Sequence, residues 1–477
     1  MLLALAEFTQ LPSTKPSMVV MPPHLREVGI SFDPIIYMAK KVVIIGAGLA
    51  GLSAGLDLQL GGYNVIILEA KGFVGGRTAS WNQEGMDVES GLHRILGFYK
   101  QLPRLIKRAG LKVKDIVIWE DEIEIKIPNG PSAVYGASLV FKPLKTLSAP
   151  FRNHIISWKD TRRLAKFFTS GLKDYILKPK KLDQYSVLEY AKKFKVSDLA
   201  IIRILQPLTA GIFFYQPDKY SAYVLFGLLA QAVRRAARIR VGAFKGGMTQ
   251  VLASPIAEKL KKEGATVLTD MTVDKIEVKD NRVTGAYVKG EFIGADAVIL
   301  ATSIGSAKRI VENSALQTKL KKVIQLPTMP EVNLQVEFTS PVWPVDRTVF
   351  CPGTSLITFA EQSRTTFKNK AGRLSIILTP PEELIHLSDE EIYRIFTTQA
   401  SDLGIDLSKA RQYRVVRHPN DFYSLSPGSE KLKPKTKTSF QNLFLAGDYV
   451  RQPFLATMEG AVVSGRKAAK AVKKLFT

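Results

Sequence analysis

The chain has 477 residues, 46% of them hydrophobic, enough to bury a large core in about two to three domain-sized units. Its single cysteine, Cys351, excludes an intrachain disulfide and argues against a cysteine-based metal site, in keeping with a reducing compartment. A formal net charge of +24 draws the protein to anionic surfaces, nucleic acid or phospholipid, unless lysine-rich decoration serves solubility alone.

Residues 1–37, with scattered prolines, read as an irregular N-terminal extension. The opening MLLALAEF is a short apolar run interrupted by Glu7, unlike a signal peptide. Met38 stands just before the first strand and is a candidate start. Lys41–Ile45 is a β-branched run that predicts a buried parallel strand. Gly46, Gly48 and Gly51 then form G-x-G-x-x-G leading into a helix that runs to about Leu60, and Tyr63–Leu68 is the second strand, closed by Glu69. The first glycine permits a tight turn, the second a close approach of backbone to a pyrophosphate, and the third close packing of strand and helix. The helix start offers unpaired N–H groups and a positive dipole end. Glu69, at the end of the second strand, is placed to take ribose hydroxyls and to repel a 2′-phosphate, which disfavours NADP. The β-α-β unit predicts a bound dinucleotide.

The stretch from Phe151 to Lys245 carries 19 Lys/Arg against 6 Asp/Glu, over half the net charge in about a fifth of the chain. Within it, Lys159–Lys181 alternates basic and apolar residues, and Tyr220–Val233 is an apolar stretch closed by RRAARIR. The latter is too short to span a bilayer, which takes about 20 residues. Basic amphipathic helices with aromatic residues suit an anionic membrane interface, the alternative being a solvated face over the core. No nucleic-acid-binding motif appears. Short buried strands follow at Ala265–Leu268 and Ala297–Leu300, flanking a hairpin of Thr272–Val278 and Arg282–Lys289 turned at Asp280-Asn281. Val332–Phe338 and Leu374–Leu378 read as strands, Ser388-Asp-Glu-Glu as a capped helix start, Leu443–Ala446 as the last strand, and about Thr457–Lys474 as the last helix. No triad, metal cluster or paired carboxylates stands out. His93, His154, His386 and His418 do not cluster along the sequence.

Three stretches carry a resemblance to a known family. Glu69–Arg77 has the form L-E-A-x4-G-G-R with the leucine before it, and is similar to the flavin amine oxidase superfamily. The segment LAGDYVRQPFLATMEGAVVSGRK, Leu445–Lys467, resembles the plant- and cyanobacterial-type phytoene and ζ-carotene desaturases within it. Glu89-x-Gly91-Leu92-His93 with Gly97 and Tyr99 matches the same branch, and Thr379–Leu384, Ser388–Ile392 and Arg417–Tyr423 fit more loosely in the right order.

The resemblance implies an α/β fold, a Rossmann-like FAD-binding domain of the GR2 type with an inserted α+β substrate domain that carries the basic helical region. The FAD-binding domain would be discontinuous, over 38–105, 245–315 and 435–477. The substrate-binding, membrane-facing domain would take 106–244 and 316–434. FAD would be bound non-covalently by Gly46, Gly48, Leu49, Ala50, Gly51, Glu69, Ala70, Gly75, Gly76, Arg77, Val273, Gly447, Asp448, Met458, Glu459 and Ala461. Arg77 would contact the pyrophosphate, Asp448 the ribityl–phosphate region, and the helix start at Met458 the flavin pyrimidine edge, where reduced flavin carries negative charge.

The implied reaction is desaturation of a long apolar isoprenoid by hydride transfer to flavin N5, in an apolar tunnel, with no metal. His93 is the one candidate catalytic residue, with packing or hydrogen bonding beside the flavin as the alternative. Asn333, ten residues before Trp343, stands where amine oxidases usually have a lysine. A membrane quinone is the implied electron acceptor. The resemblance associates an arginine with that site, and Arg234, Arg235, Arg238 and Arg240 all precede Phe244–Gly247 without the spacing selecting one. Peripheral attachment at the cytoplasmic side of a membrane follows, with no transmembrane helix. The competing readings are a related flavoenzyme (carotene isomerase, squalene-type dehydroxylase, amine or porphyrinogen oxidase) and a flavin-binding membrane or interaction protein without turnover.

Overall fold

Strand residues alternate faces with period two, and the first strand, Lys41–Ile45, buries both of its faces. Val42 and Ile44 pack with the helices Leu49–Gln59, Ser254–Lys262 and Met458–Phe476, while Val43 and Ile45 join the core on the opposite side. The strand is central in a five-stranded, wholly parallel sheet, in the order Thr266–Leu268, Asn64–Leu68, Lys41–Ile45, Ala297–Leu300, Leu443–Leu445. Every one of those strands was legible as a short apolar run. The computed structural model describes residues 39–136 and 155–477. The expected irregular extension at 1–37, and His154, lie outside the described residues.

The predicted hairpin forms from Val273–Lys279 and Arg282–Val288, with Asp280 and Asn281 at φ +48° and +61°. Both turn residues are left-handed, as a tight hairpin turn requires. A third strand, Glu291–Gly294, extends it.

A seven-stranded sheet runs in the order Ala410–Tyr423, Thr328–Phe338, Gly372–Leu378, Thr358–Glu361, Val349–Phe350, Glu122–Lys126, Ser132–Gly136. The two long insertions therefore meet in one sheet, joined where Val349–Phe350 pairs with Glu124–Ile125. Lys41–Thr477 packs as a single unit. Two features depart from the sequence reading. The first insertion, roughly 110–240, reads from its sequence as basic and helix-rich, yet it also contributes strands at Val117–Glu120, Glu122–Lys126 and Ser132–Gly136. The long strand Ala410–Tyr423 was not foreseen; it holds Pro419, which a sheet tolerates at the edge this strand occupies.

The apolar stretch after Tyr220 forms the helix Ala222–Val233, and it is core rather than surface: Val224, Leu225 and Phe226 are fully buried. It crosses the helix Trp158–Leu177 at Gly171, where a Cβ would lie 1.9 Å from the Phe226 ring. The reading of that stretch as a membrane-facing helix is corrected by this packing. The basic helix Trp158–Leu177 keeps Leu164 and Phe167 inward and leaves Trp158, Ile176 and Leu177 exposed at its two ends. No helix among the described residues is long and apolar enough to cross a membrane.

Candidate active site

The glycine loop after the first strand is held by its neighbours. Gly46 has φ +103° and its N–H donates to Leu68 O at 2.7 Å, while Ala47 N–H donates to Glu69 Oε2 at 2.8 Å. Glu69 Oε1 accepts Lys71 N–H at 3.0 Å, so the buried carboxylate pins both the loop and the end of the second strand. Gly48 is the N-cap of the helix Leu49–Gln59 and provides no side-chain cap, so the first N–H groups face the space above them. A Cβ on Gly48 would meet only Gly75 O, at 3.9 Å, and would otherwise project into that space. Gly75 and Gly76, at φ +123° and +61°, close over the loop through a bridge between Gly48 and Gly75. A backbone concavity of this kind, walled by glycines at a helix N-terminus, fits a pyrophosphate.

The far end of the chain completes the wall. Gly447, at φ +144°, donates its N–H to Ser464 Oγ at 2.8 Å and turns the chain into buried Asp448. Asp448 is ion-paired with Arg77, and the Arg77 guanidinium lies 4.6 Å over the Phe422 ring. Ala456, left-handed at φ +51°, donates its N–H to the Tyr423 hydroxyl at 2.7 Å. Thr457 Oγ1 accepts Gly460 N–H and caps the helix Met458–Phe476.

These loops line one cavity of about 460 Å³. Of the residues expected to hold the cofactor, all line it except Gly51 and Glu459. Gly51 acts from behind, where a Cβ would fall 1.9 Å from Gly46 O. Glu459 points away. Its Oε1 accepts the N–H groups of Lys100 and Gln101 at 2.8 and 2.7 Å, and its Oε2 accepts that of Leu102 at 2.8 Å. The side chain caps the helix Gln101–Arg108 rather than facing the cavity. Cys351 is fully buried and is not among the lining residues.

The other end of the cavity is apolar, lined by Leu92, Ile123, Leu208, Ile212, Phe213, Phe214, Phe350 and Ile377. Ile212, one of these lining residues, is also partly exposed. Phe214 packs edge-on against Phe422 at 5.4 Å, so Phe422 joins the apolar end to Arg77 at the polar end.

A polar cluster sits at this junction, and it gathers residues that the sequence left apart. His93 Nε2–H donates to Arg77 O at 2.7 Å, and burial pushes the His93 pKa down to about 4, so the ring is neutral and orients the Arg77 loop. His418, which did not cluster with His93 in sequence, lines the same cavity. Its Nε2 meets Ser90 O at 3.0 Å and its Nδ1 meets Asp421 Oδ2 at 3.3 Å. Burial opposes charge on His418, but Asp421 and Glu331 outweigh it and raise the pKa. Asp421 is likewise desolvated, yet His418, Ser303 and Arg77 hold its carboxyl well below the usual range.

Glu331 was missed. The run Glu331–Phe338 alternates polar and apolar, which reads as a strand with one wet face. Here both faces are covered: Glu331, Asn333, Gln335 and Glu337 are all buried. Asn333 is fully buried and does not line the cavity; it donates to Glu331 Oε1 at 2.5 Å. Two residues upstream on the same face, Glu331 does line it. None of Arg234, Arg235, Arg238 and Arg240 lines the cavity; Arg235 donates to Phe98 O and Arg240 to Asp121. Among the described residues no cluster of three or more His, Cys, Asp or Glu could hold a metal ion.

A family model described as flavin containing amine oxidoreductase matches residues 49–473. A 15-cis-phytoene desaturase from Synechococcus elongatus is 25% identical, over 91% of this chain and 95% of its own length. Among solved structures, an oxidoreductase from Methanosarcina mazei superposes with a TM-score of 0.71 at 18% identity, covering 90% of this chain and 100% of that one. Cyclohexylamine oxidase from Brevibacterium oxydans gives 0.69 at 16% identity, covering 92% of this chain and 100% of that one.

Proposed function

Since the chain belongs to the flavin containing amine oxidoreductases, an FAD-dependent oxidoreductase family, we propose that it desaturates a long apolar isoprenoid of the carotenoid-precursor class. The observation that carries this reading is the cavity itself, which joins a glycine-walled cofactor end to an end lined by Leu92, Ile123, Leu208, Phe213, Phe214 and Ile377. A hydrocarbon offers no polar handle, so an apolar channel must position it by shape and exclude water. The phytoene desaturase relative favours the same substrate class.

When bound, the flavin supplies a two-electron acceptor for the hydride that leaves carbon. The chain's own residues do the rest. Amides at Leu49 and Ala50 would hold the pyrophosphate, Glu69 orients the glycine loop, and the Asp448–Arg77 pair would close the middle of the site. The N-terminus of the helix Met458–Phe476, with Met458 and Ala461 on the cavity, favours negative charge there.

The test is anaerobic incubation of the flavin-loaded protein with phytoene, ζ-carotene, a panel of amines and a porphyrinogen, following loss of the visible flavin band. Bleaching by a carotene and by none of the amines is expected. Bleaching by amines alone would replace desaturation with amine oxidation, and bleaching by dithionite alone would leave a binding protein without turnover.

A lipid-soluble substrate must enter from a membrane, and we place the contact on the basic region between 155 and 245. Its support is the coincidence of that charge with Trp158, Ile176 and Leu177, which are 58%, 69% and 63% exposed. Binding to vesicles containing anionic lipid should weaken sharply from low to high salt; equal binding to neutral vesicles would remove the electrostatic part of this account. A membrane quinone is the acceptor in keeping with that location.

A further inference from the structure

Among the described residues four carboxyls line the cavity, and three are committed. Glu69 accepts two backbone N–H groups, Asp448 is paired with Arg77, and Asp421 is tied to His418 and Ser303. The fourth, Glu331, is 2% exposed, and its Oε2 is buried with no hydrogen-bond partner among the described residues. Among the described residues its one side-chain hydrogen bond, from Asn333, goes to Oε1. A buried oxygen left open in this way costs stability, and its retention calls for a purpose.

Its position is at the junction of the two ends. On the neighbouring strand Glu331 pairs with His418. A Cβ on Gly91 would lie 3.0 Å from Glu331 Oε1 and 3.6 Å from His93 Cε1, and the next residue, Leu92, packs with Phe214 and Ile377 of the apolar end. The carboxyl lies among His418, Asn333, Arg77 and Asp421, on a residue that lines the cavity.

We propose that Glu331 Oε2 is the proton acceptor of the desaturation, an inference that rests on the reading above. One C–H bond of the substrate breaks with its electron pair leaving as hydride to the bound flavin. At the adjacent carbon the C–H bond breaks, its electrons become the π bond, and the proton forms an O–H bond at Oε2. The hydrocarbon is oxidised by two electrons, the flavin is reduced by two, and Glu331 passes from carboxylate to carboxylic acid. Burial pushes this carboxyl up to about 7, against the pull of His418, Asn333 and Arg77 and with help from Asp421. Both protonation states are therefore accessible near neutrality, as a reversible acceptor requires.

The experiment uses flavin-loaded wild type, Glu331→Gln and Glu331→Asp. Anaerobic bleaching by the carotene substrate should slow by about 100-fold or more in E331Q, with partial recovery in E331D. The wild-type rate should fall as pH drops below 7, and E331Q should lose that acid limb. A second readout needs no substrate. A carboxyl whose pKa is raised on folding contributes stability that is full below its unfolded value and is lost as pH rises through 7. The melting temperature of E331Q relative to wild type should therefore climb by roughly 2–4 °C between pH 4 and pH 8.

A difference that stays flat with pH overturns the proposal whatever the substrate is. Unchanged bleaching by E331Q overturns it while desaturation stands. Wild type that no carotene bleaches overturns the desaturation reading and this role with it. Should E331Q fail to hold flavin, an unaltered pH–rate profile in E331D overturns the proposal.

Discussion

Gly51→Ala is expected to yield protein without flavin and with a lowered melting temperature. The added Cβ would sit 1.9 Å from Gly46 O and 3.1 Å from its carbonyl carbon. Neither side can yield cheaply. Gly46 is tied to Leu68 O, the next amide to Glu69, and backbone crowds its other side, with Ala301 O only 2.9 Å from where a Gly46 Cβ would be. The helix Leu49–Gln59 is pinned from behind by the C-terminal helix, where a Cβ on Gly465 would meet Ala50 O at 2.1 Å. Relief must come from lifting the helix off the strand, which displaces the amides proposed to hold the pyrophosphate. Overpacking of this kind costs about 1–3 kcal/mol, and more where backbone opposes backbone. Visible flavin absorbance per protein and a thermal melt check both effects. The control is Gly294→Ala, where a Cβ finds ordinary contacts at 3.7 and 3.9 Å and should change stability by less than about 0.5 kcal/mol. A G51A protein with full flavin content would mean that helix and strand separate more freely than this packing allows.

What could be read in advance divides along a physical line. The stretch Val42–Arg77 was legible because its chemistry is local: a β-branched run, glycines at turns that demand positive φ, and an acid at a strand end. The same holds for Gly447 and for the helix start at Thr457. Legibility fails where a residue's environment is made by distant chain. Glu331 and Asn333 look like the wet face of a strand, and only the covering by Ser90 and Glu89, some 240 residues earlier, turns that face into a buried polar layer. His93 and His418 share a cavity although 325 residues separate them, and no spacing rule brings them together. The strand Ala410–Tyr423 hid behind its charges and Pro419, features that signal a loop unless the strand is known to be an edge. The helix Ala222–Val233 was misplaced for the converse reason: an apolar segment looks alike whether it meets lipid or, as here, Phe167 and Tyr190.

Glu459 shows the same division within a single motif, and it carries the largest expected loss of stability. The helix start at Met458 pointed to flavin contact, and Met458 and Ala461 do line the cavity, but the acid between them turns to the helix Gln101–Arg108. That helix has Lys100 at its N-cap and no side-chain cap of its own, so the fully buried Glu459 carboxylate accepts three of its first N–H groups from across the fold. The acid also sits at the positive end of the helix dipole. Glu459→Ala should leave those donors without partners and destabilise the protein by about 3–5 kcal/mol, lowering the melting temperature by roughly 3–5 °C. Glu459→Gln keeps one acceptor oxygen and turns an amide N–H₂ toward the remaining donors, so it should lose about half as much. Flavin content at low temperature should stay at the wild-type level in both variants, because the side chain does not reach the cavity. The two roles therefore predict opposite patterns. A cap lowers the melting temperature and spares the flavin, whereas a cofactor contact would empty the site and leave the apoprotein's melting temperature unchanged. Melting curves of apo- and flavin-loaded protein, side by side, decide between them.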